Sequence, residues 1–453
     1  MTGVSLSRWT LIYFVTALLS LIVAEALMVL GFGYPAAGIG DPETLVLVHL
    51  LAIGWLSLLM LGAMFQFVPV LVAAPLRHPE LQLPAWALLV AGLLALLAGF
   101  LQLSGALDFL PLMLPIGATL LFMGFVTAAI SLIATLFASM PLGLPARFVL
   151  LGLGGLAAVA TLGWLFAGTL SGLLQHPFFG ALVGNSVPFH AALGLGAWLS
   201  ISAMGVTHRL VPMFLLAPDK ARETGYFTWW ASLIAAVSLA VGAFVAPGKP
   251  IFASIMAVIA VIMALGALAA YGADILHYYR SRARKIIEPN SRMAAWAIST
   301  FAASGILVAG LLVAGRLGAF VAPVVYLVAM GWLSGLGLSQ LVKIVPFVTW
   351  LECYGTVLGK MPTPRVQDLV VEMRLLRLLA TYFISVFAGA GALALGWPLV
   401  FRLAVAVTLG ATLLIGRELY RVRRLKDVPD DKRRLAPVPL PRLVFASSQR
   451  PST

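Results

Sequence analysis

The chain has 453 residues, of which 62% are hydrophobic and only 10% charged, against about 25% charged in a typical soluble domain. That balance excludes an ordinary cytosolic enzyme, a disordered chain and a coiled coil, and it specifies an all-α polytopic protein embedded in a lipid bilayer. The net charge of +13 gathers in short loops and in the last stretch of chain, where the positive-inside rule puts Lys and Arg, so it does not mark a nucleic-acid partner.

Hydropathy and loop signals predict about twelve spans, near 9–31, 45–71, 84–103, 110–137, 148–174, 187–215, 225–246, 250–275, 293–315, 318–346, 375–395 and 398–416. Each is close to the ~20 residues that cross a bilayer. The first apolar stretch continues into Glu25 and is too long for a cleavable signal peptide. With the N-terminus inside, only Lys249, Arg316 and Arg402 among the 29 basic residues fall outside. Arg280, Arg282, Arg284, Lys285 and Arg292 crowd one inner loop. The expected topology is therefore N-in/C-in, in a cytoplasmic (inner) membrane of bacterial type. Residues 1–416 read as one transmembrane domain, and 417–453 as a basic cytoplasmic tail, with Pro429, Pro437, Pro439 and Pro441, that is irregular and either lipid-facing or simply solvated.

A motif recurs in spans two, six and ten. Trp55-Leu56-Ser57 precedes Val68-Pro69, Trp198-Leu199-Ser200 precedes Val211-Pro212, and Trp332-Leu333-Ser334 precedes Val345-Pro346. The Trp-to-Pro spacing is fourteen each time, with Gly62, Gly205 and Ser339 seven before the prolines and Gln66, Arg209 and Lys343 three before. The copies start 143 and 134 residues apart. This predicts three four-helix units, about 9–137, 148–275 and 293–416, in a pseudo-threefold arrangement. The motif itself is expected to pack helices, with Trp in an interface belt, Ser and Gly at contacts, and Pro ending the helix.

Cys353 is the single cysteine, which rules out intrachain disulfides and Cys-only metal sites. Of six histidines, His78, His176 and His277 fall in or beside loops and have ordinary surface readings. His49 and His190 open spans two and six at their outer ends, whereas His208 lies eighteen residues beyond His190, about 27 Å along a helix, beside Arg209 at the inner end. One helix cannot bring His190 and His208 to one metal, so His49 with His190 is the expected pair. Neutral imidazoles suit heme iron, copper or zinc, and two facing across a bundle can serve as axial ligands. Glu25 is the one carboxylate well inside a span; it is expected to orient His49 through the second ring nitrogen or to relay protons. His49 stands six before its tryptophan and His190 eight, an offset of about 200° on a helix. The residues six before are His49, Ala192 and Tyr326. A distortion near Pro188 is one way to bring the two histidines together, and Tyr326 or Met330 are the candidates from the third copy.

These features resemble subunit I of the heme-copper oxidases. "HLLAIGWLSLLMLGAMFQFVPVL" (49–71) and "HAALGLGAWLSISAMGVTHRLVPMF" (190–214) are similar to diverged cbb3-type subunit I homologues. Two spans that open with His and continue as Gly-rich apolar runs are also similar to the NnrS family of heme- and copper-containing membrane proteins. The resemblance implies heme b with His49 in the low-spin ligand position, which that family pairs with a histidine on span ten. Span ten here has no histidine, and span seven offers Trp229-Trp230 instead of copper ligands. Oxygen reduction at a binuclear centre is therefore not expected. The expected function is electron transfer, supplied by a redox partner protein or a quinol, or handling of nitric oxide or another small gas. The alternatives are a heme-free copper-binding protein or carrier, with Glu25, His49 and His190 as entry site and His208 with Arg209 as exit, or a structural assembly subunit.

Overall fold

The computed structural model describes residues 7–107, 112–355, 357–430, 432 and 440–446. The protein is a multi-pass, all-helical membrane protein with no strand among the described residues. Twelve helices are long and apolar enough to cross a bilayer: α1 Thr10–Leu30, α2 Pro42–Val72, α3 Pro79–Leu103, α4 Met113–Phe137, α5 Leu144–Leu170, α6 Pro177–Leu215, α7 Glu223–Val245, α8 Pro250–Arg280, α9 Pro289–Val313, α10 Leu317–Tyr354, α11 Glu372–Ala394 and α12 Pro398–Arg423. Large apolar side chains such as Leu94, Val258, Ile306 and Val313 point outward, as a lipid-facing surface requires.

Local chemistry sets the helix ends. Helices α2, α5, α6, α8, α9 and α12 have Pro in their first turn, where the missing N–H would have no partner anyway and φ is already helical. Helix α1 stops at Gly31, which adopts φ +81° and returns its N–H to Met28. Helix α6 begins ten residues before the expected start at 187, and α10 runs eight past Pro346. Pro188 and Pro346 lie inside these helices; within a membrane bundle, neighbouring groups re-satisfy the carbonyl that a proline leaves free. Pro69 and Pro212, by contrast, sit in the last turn of their helices.

The motif tryptophans are not in an interface belt. Trp55, Trp198 and Trp332 are at most 1% exposed, at the centre of the bundle, where α2, α6 and α10 touch one another. Trp55 Nε1 donates to Ser334 Oγ at 2.8 Å, Trp198 Nε1 to Ser57 Oγ at 3.0 Å, and Trp332 Nε1 to Ser200 Oγ at 3.1 Å. The three bonds close a ring across the three helices. An indole N–H is donor-only and needs a partner once buried, and the serine two residues after each tryptophan supplies the acceptor for a neighbour. Around this ring each helix widens into a π-helical stretch of eight residues, Leu50–Ser57, Leu193–Ser200 and Leu327–Ser334. Each stretch ends on the ring serine, whose hydroxyl donates to the carbonyl five residues back: Ala52, Leu195 and Ala329. Outside the central trio, the most extensive pairings are α3 with α4, α7 with α8 and α11 with α12.

The polar motif positions tie down chain at the end of the bundle that carries both termini. Gln66 accepts from the Ser7 N–H at 2.9 Å, Arg209 pairs with Asp219, and Lys343 lies 2.6 Å from Glu288. Part of the described tail is held against the bundle. Arg423, 3% exposed, pairs with Glu352 at 2.9 Å and donates to Thr349 and to the Arg442 carbonyl. Phe445 then packs on Trp9, and Ala446 donates to the Arg8 carbonyl. A buried carboxylate that needs a cation explains why the segment folds inward. Pro437 and Pro439 lie outside the described residues.

Candidate functional site

The structure brings His49 and His190 together. Their ring centroids are 6.5 Å apart and the planes tilt by 32°. The two-residue offset is what makes this meeting work. A histidine at Ala192 would share the heading of His49 about its own helix, whereas a turn of about 200° faces His190 the other way. His190 accordingly lies against α5, with Phe166 at 5.4 Å and Gly163 beneath the ring. No break at Pro188 is needed, because α6 is continuous there. Phe100 of α3 flanks His49 at 4.9 Å.

Both imidazoles are half-buried, and each offers a nitrogen. His49 Nδ1 lies 2.8 Å from the Leu45 carbonyl. A carbonyl only accepts, so Nδ1 carries the proton and Nε2 is left with its lone pair outward. His190 Nδ1 is buried without a hydrogen-bond partner. A group of three or more His, Cys, Asp or Glu close enough to hold a metal is absent among the described residues. The two imidazoles are the residues that could hold a metal here.

The other candidates are elsewhere. Glu25 is fully buried, but it faces α12, where Oε1 accepts from Thr412 Oγ1 at 3.0 Å and Oε2 has no partner. No hydrogen bond or ion pair joins it to His49; the Leu45 carbonyl holds the orienting nitrogen instead. Tyr326 packs on Phe401 of α12, and Met330 accepts a hydrogen bond from Tyr382 through its carbonyl, so both serve the seam around Glu25. The imidazole beside His49 comes from α6.

His208 is separate too. It is 3% exposed, stacked on Phe148 at 5.3 Å, with the edges of Tyr271 and Tyr278 at 5.5 and 6.3 Å. Arg209 beside it pairs with Asp219. Among the loop histidines, His78 pairs with Glu80 and His176 accepts the Phe178 N–H at the start of α6. Sequence reasoning missed Asp274 of α8, 1% exposed and held by Arg222 and Thr224. Its position shortly before a basic loop hid it among ordinary interfacial charges.

No protein-family profile matches the chain, and no curated protein is significantly similar to it.

Proposed function

We propose that this chain is a membrane metalloprotein in which His49 and His190 hold one b-type heme between them, and that its work is electron transfer. The observation that carries the reading is the facing pair of imidazoles at 6.5 Å. Two imidazoles sharing one metal place each nitrogen about 2 Å from it, which puts their ring centres roughly 6 Å apart. A heme supplies one-electron chemistry when bound. Here the chain fixes the His49 ring through Leu45 and walls the pair with Phe100 and Phe166, a low-dielectric setting that tunes potential. Two histidines that would hold the group from this chain favour electron transfer, to a redox partner protein or from a quinol, over handling of a gas such as nitric oxide.

The Trp–Ser ring and the recurring hairpins α3–α4, α7–α8 and α11–α12 support three four-helix units about one axis, in keeping with the resemblance to oxidase subunit I. The loop charge distribution supports both termini on the cytoplasmic side of an inner membrane.

A second reading is a bare copper ion on the same two imidazoles. The tight packing favours it: a Cβ at Gly163 would come within 3.1 Å of the His190 ring. Optical spectra and metal content of His49→Ala and His190→Ala test both. Either variant should lose the bound centre, whichever it is. Retention of a wild-type spectrum and metal content by both would remove the assignment.

A further inference from the structure

Two buried polar atoms on α6 and α8 face one gap at the end of the bundle that carries the termini. His208 and Asp274 are 3% and 1% exposed, and neither His208 Nε2 nor Asp274 Oδ2 has a partner. The other carboxylate oxygen, Oδ1, accepts from Arg222 at 2.9 Å and from Thr224. Asp274 is thus fully engaged on one side and bare on the other. The gap is kept open by Gly225 of α7. A Cβ there would stand 3.2 Å from Oδ2, 3.8 Å from His208 Cε1 and 2.7 Å from Leu144 Cδ2.

An imidazole nitrogen and a carboxylate oxygen, both buried and both unbonded, are costly unless something lies between them. A carboxylate oxygen only accepts, so the missing partner is a donor. Burial opposes a charge on the ring, so a cation there depends on its neighbours. Phe148 presents its face to His208 in a stacked arrangement, and an aromatic face attracts positive charge. The titratable and charged groups facing the gap are few. From α8 they are Tyr271, whose hydroxyl is engaged by Thr207 of α6 at 2.8 Å, with Tyr278 and the exposed His277. Arg222, at the start of α7, is turned to Oδ1, and Arg209 of α6 is turned away to Asp219. Helix α5 contributes Leu144 and Phe148.

We propose that His208 and Asp274 form a proton-binding site that holds one proton between Nε2 and Oδ2 across a single water molecule. The proton comes from the aqueous phase bordering the half-exposed Arg222 and returns to it: an O–H bond of hydronium breaks as the N–H bond at Nε2 forms, and the reverse on release. The site is independent of the metal pair, since His190 is about 27 Å away along α6.

The test is nitrogen NMR of the full-length protein with labelled histidine in lipid nanodiscs, titrated with pH, the His208 signal being assigned by its loss in His208→Gln. The His208 ring should pass reversibly between neutral and protonated forms. Asp274→Asn keeps the shape and the Thr224 bond but removes the charge, and should weaken proton binding at His208 at least tenfold. Gly225→Ala, which fills the gap at the cost of moving one Leu144 methyl, should do the same and stands as the measurement if Asp274→Asn fails to fold. A His208 signal that keeps one protonation state throughout the range in which the protein stays folded overturns the proposal. So does a midpoint unchanged in the Asp274 or Gly225 variant.

Discussion

Trp55 donates its indole N–H to Ser334, 2.8 Å away and 279 residues further along the chain. With Trp198–Ser57 and Trp332–Ser200, this bond makes one ring from three copies of a short motif. Each serine works twice, accepting from a neighbouring indole and donating to the carbonyl five residues back in its own helix. Hydrogen bonds between membrane helices are worth about 0.6 kcal/mol on average, but removal of one serine strands a buried indole donor. Ser57→Ala, Ser200→Ala and Ser334→Ala should therefore each cost about 1–2 kcal/mol. Thermal unfolding in detergent measures this, and comparable losses for all three are expected. A large loss for one alone would mean that the ring is not a shared structural unit.

The motif glycines should be intolerant for a different reason. A Cβ at Gly62 would lie 2.6 Å from the Tyr13 Cβ, and one at Gly205 would lie 2.6 Å from the Phe148 Cβ. Neither neighbour atom is a flexible tip, so whole helices must move apart. Gly62→Val and Gly205→Val should each cost about 1–3 kcal/mol or prevent folding. At Gly154 there is nothing within 4 Å, and Gly154→Val should retain wild-type yield and melting temperature.

Stability should fall with acid at the end that carries the termini. Burial favours the neutral form of Glu288, but Lys343 at 2.6 Å, Gln367 and Arg284 outweigh it and hold its carboxyl below the usual carboxylate value. Asp368 is likewise lowered, with burial overcome by Lys432, at 2.7 Å, and Arg365. Both acids are stronger in the folded state than in the unfolded chain. Their contribution is fully present above the unfolded carboxylate pKa of about 4, and it is lost as pH falls through the lower folded values. Melting temperature should therefore drop on acidification through this range, and Glu288→Gln should flatten the drop. An equally steep acid limb in that variant would assign the loss to other groups.

Glu25 separates two ideas of the metal pair. It is held by Thr412 of α12 and has no bond to His49. Glu25→Gln should leave the bound centre and its spectrum unchanged, as should His208→Ala. A loss of metal in Glu25→Gln comparable with that in His49→Ala would return Glu25 to the site.

Twelve apolar runs and their order were legible, because bilayer thickness imposes both length and composition. The Trp-Leu-Ser repeat was legible as a repeat, but its job was not. A tryptophan in a membrane helix reads as interfacial until the serines that accept its N–H are seen to come from different copies. The His49–His190 pairing followed from the ends of the spans, and their offset looked like a flaw. Helical geometry turned it into the reason that the rings face. Glu25 was misplaced because depth in a span says nothing about direction around the helix. Asp274 was missed because a carboxylate near a basic loop looks solvated until its burial is known.

The most direct measurement is the absorption spectrum of detergent-purified protein from heme- and copper-replete cells, oxidised and then reduced, with iron and copper quantified on the same sample. The account predicts a reduced b-type band with about one iron per chain, in keeping with two axial imidazoles for one heme. Copper at that stoichiometry with no heme band would keep the site and change its metal. A colourless sample with neither metal would contradict the assignment of His49 and His190 as ligands.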